Sequence, residues 1–217
     1  MLNRFARALF TRLLTPVARA LVSLGISPDV VTLVGTLGVC FGALGFYPRG
    51  EFLVGTLVIT AFVFADTVDG IMARMSNRSS RWGAFLDSTL DRVGDAAVFG
   101  GLVLYYAGGT TGRDRLMTAL ALLCLVLGSV VSYARARAEG LGMTASVGIA
   151  ERADRLVAVL VTTGLVGLGW DTGLGLPEPV LGVVLAVLAV ASAITVVQRM
   201  VVVRRQALSV TTAAGND

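Results

Sequence analysis

Long apolar segments alternate with short polar turns along almost the whole chain. Six such segments stand out, and each is close to the roughly 20 residues that an α-helix needs to span a bilayer. They cover residues 29–47, 52–75, 82–107, 115–138, 155–170 and 178–202. The pattern predicts an all-α membrane protein whose six transmembrane helices form one bundle over residues 28–205.

The two ends of the chain depart from this pattern. Four Arg interrupt the short apolar runs at the start of the chain: Arg4, Arg7, Arg12 and Arg19. Such a basic amphipathic segment is typical of a helix that lies on the membrane surface, not of a secretory signal peptide. We therefore predict an interfacial helix over residues 1–22 that forms a single domain, residues 1–208, with the bundle. The small, polar residues 209–217 are predicted to be a disordered tail.

Composition narrows the chemistry. Of the 217 residues, 55% are hydrophobic and 15% charged, and the mean hydropathy is +0.81. There is no His, which excludes His metal ligands, His bases and His-activated nucleophiles. Cys40 and Cys124 lie inside apolar segments, which argues against a disulfide framework. Acid–base chemistry must therefore fall to a carboxylate, Tyr, Cys or a metal-bound water.

The basic residues predict an orientation. All 18 are Arg, and 14 of them fall on the side of the chain termini and of the turn between the second and third helices. Only Arg49, Arg113 and Arg115 fall on the other side, and Arg92 lies within the third helix. By the positive-inside rule, both termini and that turn are predicted to face the cytoplasm, in a multi-pass protein of the cell membrane.

Two pairs of Asp flank this turn. Asp66 and Asp69 are three residues apart on the second helix, and Asp87 and Asp91 are four apart on the third, so each pair shares a helix face. The outer member of each pair lies roughly 13 Å along its helix from the turn. The pattern predicts that the four carboxylates meet at one depth below the cytoplasmic surface.

Clustered carboxylates in an apolar setting need cations to neutralise them. Oxygen ligands without Cys or His indicate a hard divalent cation, Mg²⁺ or Mn²⁺. A lone intramembrane Asp could equally pair with Arg or join two helices. Two pairs favour a metal site, because each such acid costs roughly 2.5–3.5 kcal/mol. Gly70 and Gly83 would admit a phosphate or, alternatively, close helix packing, and Arg74 is a candidate for binding an anionic group.

The acids belong to a longer pattern, Asp66-x2-Asp69-Gly70-x2-Ala73-Arg74-x8-Gly83-x3-Asp87-x3-Asp91. At every fixed position it resembles the signature of the CDP-alcohol phosphotransferases. Six helices preceded by a surface helix are also similar to the architecture of that family, so the resemblance covers nearly the whole chain. It implies a homodimeric enzyme that moves a phosphatidyl-type group from a CDP-linked lipid to an alcohol and releases CMP.

The resemblance also implies roles for individual residues. Asp66, Asp69 and Asp87 resemble metal ligands. Asp91 resembles both a ligand of the second of two metal ions and the base that takes the proton of the acceptor hydroxyl. Contacts with CDP-diacylglycerol are implied for Asp29, Val30, Val31, Thr32, Gly70, Arg74, Ser80 and Gly83. Elementary chemistry agrees, since two metal ions can bridge a diphosphate and orient an in-line attack, and a carboxylate is the natural base in a chain without His.

Five Arg near the cytoplasmic ends of the last three helices are candidates for the acceptor site: Arg135, Arg137, Arg152, Arg155 and Arg199. The positive-inside rule and anionic lipid headgroups also account for many of them. A fork of guanidinium groups there would suit a phosphorylated acceptor. The surrounding segments, residues 132–139, 149–156 and 197–199, are most similar to those of the bacterial phosphatidylinositol-phosphate synthases, which implies inositol 1-phosphate as the acceptor.

Two alternatives remain at this point. The glycerol-3-phosphate branch of the family also takes a phosphorylated acceptor, and the Arg residues do not separate it from the first interpretation. A cation transporter with an intramembrane acid site would explain the Asp residues. It would not explain Gly70, Arg74 and Gly83 in fixed register. A transporter would also be expected to carry acids along a path through the membrane, whereas these four Asp are predicted near one side. None of these interpretations involves a nucleic acid.

Overall fold

The structure, a computed structural model, describes residues 14–75, 80–108 and 114–214; within these ranges the side chains of residues 65–67, 170–171 and 210–214 are not described. The described helices are α1 (Leu14–Ser23), α2 (Pro28–Phe46), α3 (Phe52–Met75), α4 (Arg81–Gly108), α5 (Arg115–Gly140), α6 (Arg152–Thr172) and α7 (Pro179–Ala214). A 3₁₀ turn, Tyr47–Arg49, joins α2 to α3. The apolar segments of the sequence thus correspond to α2 through α7.

Local sequence explains where several helices begin. Ser27 accepts a hydrogen bond from the Val30 N–H, and Pro28 occupies the first turn of α2, where its missing N–H is not needed. Asp114 caps α5 through the Met117 N–H at 3.0 Å. At the start of α6, Asp154 accepts a hydrogen bond from the Glu151 N–H at 3.1 Å. These caps fix the first residues of α2 and α6, which carry functional candidates.

The far end of α7 differs from the prediction. The helix continues to Ala214, although residues 209–217 were predicted to be a disordered tail. Between Gly182 and Gly215 the sequence has no Gly or Pro, so nothing interrupts the ladder of backbone hydrogen bonds. The last residues, 215–217, lie outside the described part of the chain, as do residues 1–13 of the predicted interfacial helix.

Close helix contacts depend on small residues. A Cβ atom on Gly101 of α4 would lie 2.6 Å from the Ala43 carbonyl oxygen of α2, so only Gly permits this approach. Tyr47, Phe52 and Tyr105 stack edge to face beside it and are almost fully buried. This aromatic core lies at the end of the bundle opposite the last residues of α3 and the first residues of α4. It leaves that other end to polar residues.

The described part of α1 packs against α3. Ala18 is fully buried against Val68, Ile71 and Met72. These three residues flank Asp69 in sequence, so the packing of α1 fixes the part of α3 that carries this carboxylate.

Four helices, α2, α3, α5 and α7, are long and apolar enough to cross a membrane within the described part of the chain. The protein is therefore all-helical with several apolar helices, as expected for a multi-pass membrane protein. α4 and α6 are of comparable length, but both carry charged residues toward one end. α4 contains Asp87, Asp91, Arg92 and Asp95, and these are residues of the candidate site.

Candidate active site

Two cavities lie side by side between the helices at the polar end of the bundle. The wide cavity, of about 250 Å³, is lined by Pro28, Asp29, Thr32, Asp69, Gly70, Ala73, Ser80, Gly83, Ala84 and Asp87. The narrow cavity, of about 40 Å³, is lined by Thr32, Gly35, Thr36, Val39, Phe62, Val63, Leu90, Asp91, Gly94, Asp95, Arg152 and Leu156. Thr32 lines both, so the two cavities are neighbours.

Three helices supply the carboxylates of the wide cavity. Asp29 comes from α2, Asp69 from α3 and Asp87 from α4. Asp69 is only 7% exposed, and its Oδ2 accepts a hydrogen bond from the Thr32 hydroxyl. α2 therefore orients a carboxylate of α3 at the boundary between the two cavities.

Small residues keep the wide cavity open. Ser80 caps α4 by accepting a hydrogen bond from the Gly83 N–H at 2.9 Å, which places the first turn of α4 against the cavity. A Cβ atom on Gly83 would lie 3.3 Å from Ser80 Oγ and 3.8 Å from Asp29 Oδ1. One on Gly70 would lie 3.6 Å from Arg74 Nη1. A side chain at either Gly would thus enter the space between polar groups.

The donor atoms of the wide cavity fit a divalent cation by chemistry. Two predicted ligands, Asp69 and Asp87, face it together with the hydroxyl-bearing Thr32 and Ser80, and such oxygen atoms suit Mg²⁺ or Mn²⁺. Among the residues that the structure describes, no three acidic or Cys side chains come close enough to form a ready-made metal site. The side chain of Asp66, the fourth predicted ligand, lies outside the described residues.

Asp91 lies in the narrow cavity, within a charge cluster made of Asp91, Arg92, Asp95 and Arg152. Arg152 Nη1 is 2.7 Å from Asp91 Oδ1, and Arg152 Nε donates to Asp95 Oδ1 at 3.1 Å. Arg92 Nη2 is 3.4 Å from Asp91 Oδ2, and its Nε is 3.9 Å from Asp95 Oδ2. Each carboxylate is thus placed between two guanidinium groups, and the charge cluster is electrically neutral.

The charge cluster contains two residues, Arg92 and Asp95, that were not predicted as site residues. Asp95 follows Asp91 by four residues, as Asp91 follows Asp87, so all three share a face of α4. That continued spacing was a usable signal. The pairing of Arg152 with Asp91 had no such signal, because it depends on how α6 packs beside α4.

The five Arg predicted for the acceptor site occupy three different settings. Arg152 belongs to the charge cluster. Arg155 and Arg199 are 2% and 5% exposed, and they donate to backbone carbonyl groups: Arg155 to Ala150 at 3.1 Å, and Arg199 to Val147 at 2.9 Å and to Val131. Arg135 is exposed and pairs with Glu139 at 2.9 Å. Arg137 is exposed.

The residues predicted to contact the nucleotide are also divided. Asp29, Thr32, Gly70, Ser80 and Gly83 line the wide cavity. The other three, Val30, Val31 and Arg74, do not line it. Val30 is 50% exposed, and Val31 packs toward α1. Arg74 is exposed at the end of α3, next to Gly70.

Known proteins match the part of the chain that contains both cavities. The family profile described as CDP-alcohol phosphatidyltransferase matches residues 25–195. The chain is 55% identical over 209 residues to the phosphatidylinositol phosphate synthase of Streptomyces avermitilis, covering 95% of this chain and 84% of that protein. It is 48% identical to the phosphatidylinositol phosphate synthase of Cutibacterium acnes, covering 94% and 98%.

Solved structures of a phosphatidylinositol phosphate synthase also resemble this chain. The phosphatidylinositol phosphate synthase of Mycobacterium tuberculosis with CDP-DAG bound superposes with a TM-score of 0.82 at 42% identity, over 88% of this chain and 94% of that one. A structure of that enzyme in complex with manganese and citrate gives a TM-score of 0.81 at 43% identity, over 88% of both chains.

Proposed function

This chain belongs to the CDP-alcohol phosphatidyltransferase family, and we propose that it transfers the phosphatidyl group of CDP-diacylglycerol to inositol 1-phosphate and releases CMP. The observation that carries the proposal is the pair of cavities that meet at Thr32. The wide cavity is lined by carboxylates, with no Arg among its described lining residues. In the narrow cavity, Asp91 pairs with Arg152. A donor site and an acceptor site are thereby adjacent.

The wide cavity is the proposed site of the donor's diphosphate and nucleotide. Small residues and the first turn of α4 leave room there for phosphate groups, which suit a helix N-terminus. Two divalent cations, Mg²⁺ or Mn²⁺, held by Asp66, Asp69, Asp87 and Asp91, would supply the positive charge that polarises the diphosphate and stabilises the departing CMP. The manganese in the Mycobacterium tuberculosis enzyme supports the use of a divalent cation. Thr32 keeps Asp69 turned toward that site.

The narrow cavity is the proposed site of acceptor activation. Asp91 takes the proton of the acceptor hydroxyl as the oxygen attacks the phosphorus of the phosphatidyl group, and the bond from that phosphorus to CMP breaks. Arg152 is the described Arg best placed to bind the acceptor phosphate, because it lines this cavity and its side chain remains 31% exposed. Four other Arg add positive potential at the same end of the bundle: Arg135, Arg137, Arg155 and Arg199.

Membrane placement is part of the proposal. We infer six membrane crossings by α2 to α7, preceded by a surface helix, with both termini and the two cavities on the cytoplasmic side of the cell membrane. The Arg distribution supports this orientation. Large apolar side chains on the outer face of α2, such as Leu37 and Phe41 at 59% and 64% exposed, suit contact with lipid. We further propose a homodimer, on the strength of the family resemblance.

The deciding experiment offers purified enzyme CDP-diacylglycerol with one acceptor at a time and measures CMP. Inositol 1-phosphate should support release, and free inositol and serine should not, since they bring no phosphate to Arg152. Release with glycerol 3-phosphate but not with inositol 1-phosphate would replace the proposed acceptor by the alternative from the same family. Release with free inositol alone would remove the role given to Arg152.

A further inference from the structure

We propose that Asp95 is a positioning residue of the acceptor site. It holds Arg152 through Nε, so that Nη1 can pass from Asp91 to the phosphate of the acceptor. The inference rests on the proposed function, because it requires a phosphorylated acceptor. Asp95 itself lies beyond the family signature, which ends at Asp91.

The geometry of Arg152 separates two tasks. Different nitrogen atoms of one guanidinium contact the two carboxylates: Nη1 is 2.7 Å from Asp91 Oδ1, and Nε is 3.1 Å from Asp95 Oδ1. A planar fork of this kind can exchange one partner while it keeps the other. Arg152 can therefore release Asp91 without leaving the cavity.

Asp91 must be released for the proposed reaction. A carboxylate oxygen that accepts a short hydrogen bond from a guanidinium has one lone pair fewer for a metal ion or for the proton of the acceptor. The arriving phosphate is a stronger competitor for the guanidinium than one carboxylate, because it carries more charge and more acceptor oxygens. Binding of the acceptor and activation of Asp91 are then coupled through the same side chain.

Asp95 is suited to remain in place during this exchange. It is less exposed than Arg152, at 16% against 31%, and its second oxygen faces Arg92 at 3.9 Å. An Arg side chain without such an anchor has several rotatable bonds to immobilise on each binding event. Asp95 thus acts on the acceptor through Arg152, by holding it ready.

The first test replaces Asp95 by Asn, which keeps the shape and removes the charge. The KM for inositol 1-phosphate should rise about tenfold, the effect of weakening one charge-assisted hydrogen bond, whereas kcat and the KM for CDP-diacylglycerol should stay within about twofold. Asp114→Asn is the matched control: it makes the same chemical change at the opposite end of the bundle, and Asn caps a helix as well as Asp. An equal rise in both KM values, or a fall in kcat alone, would overturn the proposal.

A double-mutant cycle tests whether Asp95 works through Arg152. In an Arg152→Ala background, Asp95→Asn should change the acceptor kcat/KM by less than about twofold, because nothing remains to be positioned. Full additivity of the two effects would overturn the proposal. If Asp95→Asn does not fold, Asp95→Glu serves instead. It retains the charge, so it should raise the acceptor KM less than Arg152→Ala does, and an equal or larger rise would count against positioning.

A binding measurement separates this proposal from the proposed function. Wild-type, Asp95→Asn and Asp114→Asn proteins in detergent are titrated with inositol 1-phosphate and with glycerol 3-phosphate by calorimetry. Weaker binding in Asp95→Asn alone supports the positioning role even if the wild-type protein releases no CMP, in which case the proposed function fails by itself. Equal affinity in all three proteins would refute the positioning role even if turnover with inositol 1-phosphate is observed.

Discussion

The wide cavity and the narrow cavity share Thr32 but differ in how their carboxylates are neutralised. In the wide cavity, Asp29, Asp69 and Asp87 are lining residues, and no Arg is among the described residues that line it with them. In the narrow cavity, Asp91 and Asp95 are each placed between Arg92 and Arg152. The carboxylates of the wide cavity therefore need cations from solution, whereas those of the narrow cavity are neutralised by Arg side chains of the protein.

This difference matches the two halves of the proposed reaction. A donor with a diphosphate brings negative charge to carboxylates, which is unfavourable unless divalent cations lie between them. An acceptor phosphate needs no added metal, because it can take over a guanidinium that is already present. Removing charge should therefore have different consequences in the two cavities. In the wide cavity it should impair the metal-dependent chemistry, and in the narrow cavity it should weaken acceptor binding.

The largest effect is expected from carboxylates of the wide cavity. Asp69→Asn and Asp87→Asn, and equally Asp66→Asn, should lower kcat by at least about a hundredfold, the cost of removing one key electrostatic group from an active site. Activity of the wild-type protein should vanish with EDTA and return with Mg²⁺ or Mn²⁺. CMP release at increasing Mg²⁺, with Asp114→Asn as the control, measures both effects. Near-normal turnover in two of these variants would show that the wide cavity does not hold the catalytic cations.

A smaller effect is expected in the narrow cavity. Arg152→Ala should lower the kcat/KM for inositol 1-phosphate by about ten- to a hundredfold, since a charge-assisted hydrogen bond contributes roughly 1.5–3 kcal/mol. The Mg²⁺ dependence should change less than the acceptor KM, because three of the four proposed metal ligands, Asp66, Asp69 and Asp87, are unchanged. Initial rates at varied acceptor and at varied Mg²⁺ distinguish these outcomes. A shift in the metal requirement alone would show that Arg152 acts on Asp91 rather than on the acceptor.

The sequence predicted much of this architecture because helix periodicity is a local property. Apolar segment lengths located α2 to α7, and Asp87 and Asp91, which were predicted on one helix, both lie on α4. The family prediction is confirmed by the profile match and by relatives of 48–55% identity. The extent of α7 was misjudged, since small polar residues suggested a tail although no Gly or Pro lies between Gly182 and Gly215.

Contacts between helices were less accessible to prediction. Five Arg were predicted together from their charge and their position near helix ends, but their surroundings depend on tertiary packing. Gly128 of α5, for example, makes room for Arg155, whose Nε would lie 3.3 Å from a Cβ atom there. Spacing along one helix could have revealed Asp95. No spacing could have shown that Arg152 reaches it from α6.

Replacing the buried Arg199 is expected to affect stability more than acceptor binding. Arg199→Ala would leave the carbonyl groups of Val131 and Val147 without this donor, at a cost of about 1–3 kcal/mol if no water replaces it. The Tm in detergent should fall, and the acceptor KM of the protein that remains folded should change less than in Arg152→Ala. Arg205→Ala, an exposed change on the same helix, is the control. An unchanged Tm with a raised acceptor KM would instead assign Arg199 to the acceptor site.

The smallest effect is expected from Arg135, which is 53% exposed in its pair with Glu139. An exposed pair of this kind within one helix contributes roughly 0.3–0.5 kcal/mol, so Arg135→Ala should leave Tm nearly unchanged. It lines neither cavity. Its effect on the acceptor should therefore come only from long-range potential, which salt screens over about 8 Å at physiological ionic strength. The acceptor kcat/KM should fall by less than about threefold at low salt, and by less still at 0.15 M. A salt-independent fall as large as that of Arg152→Ala would mean that α5 also contacts the acceptor, and the charge cluster would then be only part of the phosphate site.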